Sequence, residues 1–126
     1  MSDETPVRQQ SVLVIDDEAG LRDMLAFGLP DRGYRVALAA NGEEGVEKAG
    51  HETFDLVVTD IMMPGINGVE TFKMIKKVSP ETVVIMMTAF ADYAKEFFLD
   101  KGATEVLYKP VSYEDLMDVV DRYLGK

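Results

Sequence analysis

The chain has 126 residues, 47% of them apolar and 29% charged, which suits one folded domain with one core. Its net charge of -10 argues against direct binding of nucleic acid or an anionic membrane. The absence of cysteine excludes disulfides and thiolate metal sites, and no run reaches the roughly 18 apolar residues of a membrane span.

Residues 1–10, MSDETPVRQQ, are polar, lack an apolar signal core and read as a flexible lead-in. A cytoplasmic location is expected, with the domain itself over residues 11–126. The run SVLVI (11–15) reads as a first strand and ends in Asp16, Asp17 and Glu18. Leu21, Met24, Leu25 and Leu29 then follow helical spacing. Pro30 is expected to shorten or distort the last turn of that helix. Gly33 stands where it should stop.

A second strand, YRVALA (34–39), precedes the weakest helical segment, 42–50, whose apolar anchors are Val46 and Ala49 and whose expected stop is Gly50. His51, in the next connection, reads as an exposed histidine. The strand DLVVT (55–59) ends in Asp60. After Gly68, Val69, Phe72 and Ile75 mark a third helix. The strand TVVIMM (82–87) ends in Thr88 and Ala89. Tyr93, Ala94, Phe97 and Phe98 mark a fourth helix before Gly102, with core packing explaining at least one of the two phenylalanines. The strand TEVLY (104–108) ends in Lys109 and Pro110. Leu116, Val119, Val120, Tyr123 and Leu124 form the clearest helical stripe.

Strands alternating with helices imply an α/β fold with a mostly parallel sheet and right-handed crossovers. Chemistry in such sheets gathers at the carboxyl ends of the strands. Two carboxylates about 4 Å apart repel by roughly 4 kcal/mol at an effective dielectric near 20. Asp16, Asp17 and Asp60 together therefore call for a proton or a cation. Oxygen-only ligands favour magnesium, which often bridges to phosphate. The Met62 carbonyl is placed to coordinate as well. Lys109 and the Thr88 hydroxyl suit the oxygens of a phosphoryl group, and Asp60, alone at its strand end, suits the nucleophile.

Each feature also has a plainer reading. Asp16, Asp17 and Glu18 read as caps of the next helix, Asp60 as a turn residue, Thr88 as an N-cap, and Lys109-Pro110 as a turn. An aspartate-nucleophile phosphatase would need a substrate pocket, for which the chain leaves little length. A flavin carrier would need a phosphate-cradling loop after the first strand, and the loop there is acidic.

The stretches VLVIDDEAGLR, DLVVTDIMMPGINGVE, VVIMMTA and YKP, in this order, resemble a chemotaxis-type response-regulator receiver domain of two-component signalling, over about residues 11–124. The resemblance implies a flavodoxin-like five-stranded parallel sheet of order 2-1-3-4-5, with five helices packed on both faces. It implies Asp60 as phosphoacceptor; Asp16, Asp17, Asp60 and the Met62 carbonyl as ligands of magnesium, or of manganese; and Thr88 and Lys109 as the residues contacting the phosphoryl group. Lys109-Pro110 matches a bond usually found cis, and Pro64 and Gly68 match the loop after the phosphoacceptor.

The implied partners are a histidine kinase and a downstream effector or phosphotransfer domain, met through the face of the fourth helix, fifth strand and fifth helix. Neither nucleic acid nor a membrane is an expected direct partner. The chain is expected to be no enzyme beyond self-phosphorylation from small donors and slow autodephosphorylation. From Met1 and an end just after the fifth helix, a stand-alone regulator is expected, although the receiver of a longer regulator would look the same. An alternative is a phosphorelay intermediate that passes the group to a histidine phosphotransfer domain. One position departs from the family: Val106 stands where an aromatic switch residue is common. Tyr108 lies one step along on the same strand face.

Overall fold

The structure, a computed structural model, describes residues 9–60, 68–89 and 93–125. The expected lead-in lies outside the described residues except for Gln9 and Gln10, as do Met62 and Pro64. The elements alternate as β1 (Ser11–Ile15), α1 (Ala19–Asp31), β2 (Arg35–Ala39), α2 (Gly42–His51), β3 (Leu56–Asp60), α3 (Gly68–Val78), β4 (Val83–Thr88), α4 (Tyr93–Asp100), β5 (Glu105–Tyr108) and α5 (Tyr113–Leu124). The five strands are parallel in the order β2-β1-β3-β4-β5. This is the expected flavodoxin-like fold.

The continuous apolar runs are divided between two cores by the two-residue period of a strand. Leu13, Ile15, Val57, Val84, Met86 and Val106 face Phe72 and Ile75 of α3 and Phe98 of α4. Val12, Val14, Leu56, Val58, Ile85 and Met87 face Leu25 and Leu29 of α1 and Leu116, Val119 and Val120 of α5. Phe98 is buried while its neighbour Phe97 is exposed. Helix α2 closes on the sheet through Gly45, where an added Cβ would lie 2.3 Å from Ile15 Cδ1.

Pro30 sits inside the last turn of α1 and does not end it early. The turn tightens instead: Arg32 N–H reaches both Gly28 O and Leu29 O, Gly33 N–H donates to Pro30 O, and Tyr34 N–H donates to Leu29 O. Gly33 at φ 93° closes this Schellman motif, as glycine alone does readily. Gly50 does not stop α2, which runs on to His51. The helix start is set by Asn41, whose side chain accepts Glu44 N–H at 2.9 Å while Glu44 Oε1 accepts Ala40 N–H at 2.8 Å.

Candidate functional site

Parallel register carries the strand ends to one edge of the sheet. Ile15 pairs with Thr59, Asp60 with Met87, and Thr88 with Tyr108. Asp16 and Lys109 are the residues that follow β1 and β5. Asp60 ends β3, the central strand.

Asp16 is fully buried and tightly held. Its N–H donates to Ala39 O at 3.1 Å, its Oδ1 accepts Glu18 N–H at 2.8 Å, and its carbonyl accepts from Arg22 Nη1 at 2.7 Å. Asp17 is exposed. One carboxylate oxygen from each of Asp16, Asp17 and Asp60 nonetheless lies within 4.8 Å of the other two. An all-oxygen, anionic donor set at this spacing fits a hard divalent cation.

Lys109 reaches into the same cluster. Its Nζ lies 2.8 Å from Asp60 Oδ2, 2.9 Å from Glu18 Oε1 and 3.1 Å from Asp16 Oδ2. Its backbone N–H donates to Thr88 O at 2.6 Å, and the following Lys109-Pro110 bond is cis. Burial pulls the ammonium pKa down, but the bonds to Asp60, Glu18 and Asp16 outweigh burial and raise it. For Asp16 burial is the largest influence. It raises the carboxyl pKa above its ordinary value, against the lowering effect of the Glu18 N–H and Lys109.

The edge therefore joins Asp16, Asp17, Asp60, Thr88 and Lys109, each of which the sequence singles out. Thr88 is buried at the end of β4. Val106 is core, paired with Met86, and Tyr108 lies beside Thr88 on the same sheet face, 40% exposed. The capping reading of Glu18 does not hold. Glu18 occupies the N-cap position of α1 without a side-chain capping bond, and its carboxylate goes to Lys109. Sequence reasoning also missed Arg22 on the Asp16 carbonyl. The run of three acids was a signal for Glu18, but its partner lies far along the chain.

Residues 12–121 match the family described as the response regulator receiver domain. Over 110 residues the chain is 42% identical to the transcriptional regulatory protein ZraR of Klebsiella oxytoca, covering 86% of this chain and 25% of that protein. The chain spans between a quarter and about half of the length of such curated relatives, 25% to 48%. Among solved structures, a CheY-like receiver domain protein from Methanospirillum hungatei JF-1 superposes with a TM-score of 0.87 at 31% identity, covering 94% of this chain and 95% of that one. A response regulator from Burkholderia pseudomallei, solved with a phosphorylated aspartic acid, calcium ion and citrate, superposes with a TM-score of 0.79 at 29% identity, covering 86% and 65%. No helix among the described residues is long and apolar enough to cross a membrane.

Proposed function

The chain belongs to the response regulator receiver domain family, and from that premise we propose that Asp60 is its phosphoacceptor and that residues 11–126 form one receiver unit. Receivers are phosphoacceptor signalling modules and not conventional enzymes. The observation that carries the assignment to Asp60 is its carboxylate at the sheet edge, 2.8 Å from Lys109 Nζ and clustered with Asp16 and Asp17.

In the proposed reaction an Asp60 oxygen attacks phosphorus and forms a P–O bond. The bond from phosphorus to the donor breaks, and the donor leaves with the electron pair as an imidazole or as acetate. The product is a mixed anhydride, and a later attack by water returns the carboxylate and inorganic phosphate. Lys109 donates to a phosphoryl oxygen, and the Thr88 hydroxyl donates to another. Asp16, Asp17 and Asp60 would hold magnesium or manganese, with the Met62 carbonyl as a further ligand. When bound, the ion supplies positive charge against the phosphoryl oxygens.

The proposed donor is a histidine kinase. The proposed reader is an effector protein meeting the face of α4, β5 and α5. Phosphorelay transfer to a histidine phosphotransfer domain is the second reading, favoured by the aliphatic Val106 packed in the core. Intact-mass measurement with acetyl phosphate tests the central claim. One phosphoryl addition is expected, requiring magnesium and absent in Asp60→Ala. A folded protein of unchanged mass under every condition would overturn it.

A further inference from the structure

The reaction as proposed leaves Glu18 without a part. An ammonium group has three donors, and Lys109 places all three on carboxylates, those of Asp60, Glu18 and Asp16. It is therefore saturated. It can donate to a phosphoryl oxygen only when one of the three lets go.

The three are not equivalent. The Asp16 side chain is 0% exposed and that of Asp60 8%, whereas that of Glu18 is 63% exposed. Asp16 is buried and its other oxygen is held by the Glu18 N–H at 2.8 Å, so its side chain cannot turn away into water. Asp60 is the reacting group and has to stay beside Lys109. Glu18 can turn into water with little loss, because an exposed ion pair is weak. Glu18 and Lys109 also line a surface cavity of about 260 Å³ together with Gly20 and Met24, so the side chain has room to swing.

We infer that Glu18 is a positioning residue that restrains phosphorylation: it holds Lys109 in the unphosphorylated chain and is the arm that opens to free it. Its charge also stands beside Asp60, where it repels an incoming phosphoryl donor. Both effects slow the reaction. The inference rests on Asp60 being the phosphoacceptor. No proton moves in the step. The Asp60 oxygen bonds to phosphorus, acetate leaves acetyl phosphate with the electron pair, and Lys109 exchanges one acceptor for another.

Glu18→Gln keeps the size of the side chain and removes its charge. With saturating magnesium, it should take a phosphoryl group from acetyl phosphate about three- to tenfold faster than the parent, the range expected for removing one charge several ångströms from a dianion in a wet site. Its rate should also depend less on ionic strength. Glu81→Gln changes net charge equally at the opposite edge of the sheet and should stay within about twofold of the parent. A second measurement needs no phosphorylation. In metal-free protein the Lys109 ammonium resonance should shift and exchange faster with solvent in Glu18→Gln.

An unchanged or slower rate in Glu18→Gln overturns the inference. So does equal acceleration in Glu81→Gln, which would assign the effect to net charge, and so does an unmoved ammonium resonance. If the parent takes up no phosphoryl group while the resonance does move, the phosphoacceptor reading fails. The restraining role then falls with it, while the contact between Glu18 and Lys109 stands.

Discussion

Gly45 of α2 lies directly over Ile15, the last residue of β1: a Cβ on the glycine would come within 2.8 Å of Ile15 Cγ1 as well as its Cδ1. The next residue is the buried Asp16, so this contact sets how closely α2 covers the strand that carries the site. Alanine is the better helix former by roughly 1 kcal/mol. Gly45→Ala should still destabilise the domain, by about 1–3 kcal/mol, because α2 or Ile15 has to shift. Urea unfolding should show a lower midpoint with an unchanged slope. A variant as stable as the parent would mean that Ile15 gives way freely.

Three clustered carboxylates make metal-dependent stability a direct expectation. Magnesium at a hundredfold excess over its Kd should stabilise the folded chain by about 2.7 kcal/mol. Thermal scans should register this as a rise of several degrees. Asp17 is exposed and lends little to the metal-free fold. Asp17→Asn should therefore keep the metal-free midpoint and lose the rise. A midpoint that ignores magnesium would count against the ion site.

Asp16 makes stability depend on pH. Burial lifts its folded pKa above the ordinary 3.8. A raised carboxyl pKa gives stability that is present below the unfolded value and lost as pH rises through the folded one. In chelator, the parent thus carries a penalty at neutral pH. Asp16→Asn should be the more stable protein there, and its advantage should shrink to nothing as pH falls below about 4. Urea titrations at acidic and neutral pH would show it. An advantage of equal size at both would place the effect elsewhere than ionisation.

The strands were legible because buried parallel strands are runs of Val, Ile and Leu, as in VLVI and LVV. Helix α5 was legible because Leu116, Val119 and Val120 are large side chains facing the sheet at helical spacing. Helix α2 was faint for the opposite reason: it meets Ile15 through a residue with no side chain, Gly45. Its start was written in Asn41 and Glu44, a capping pair that hydropathy does not register. Asp16, Asp60, Thr88 and Lys109 could be read as one site because strand ends are where an α/β sheet converges. Glu18 could not be given its role, because that role depends on the reach of Lys109, brought alongside only by folding.

Tyr34 offers a second titration, at the alkaline end. It is fully buried, and its hydroxyl donates to Asp121 Oδ1 at 2.6 Å. Burial, with Asp121 adding to it, raises its pKa above the usual 10. The neutral phenol is favoured by the fold, so this stability is full below about pH 10 and is lost as pH rises through the folded pKa. Tyr34→Phe should cost about 0.5–1.5 kcal/mol at neutral pH. It should also flatten the loss of stability in alkali. A variant with the parent's alkaline slope would exclude Tyr34 as its source.

The same tyrosine belongs to a wider arrangement. Asp121 of α5 takes both the Tyr34 hydroxyl and the Arg32 guanidinium from the turn that follows α1. At the other end of α5, the ring of Tyr113 fills the space over Gly28 of α1, where an added Cβ would lie 2.3 Å from its hydroxyl oxygen. Helices α1 and α5 are thus clamped together at two points, like a beam pinned at both ends. Anything that rearranges the α4, β5 and α5 face has to work against that beam. Displacing α5 would mean breaking these contacts, whereas Phe97 of α4 stands exposed.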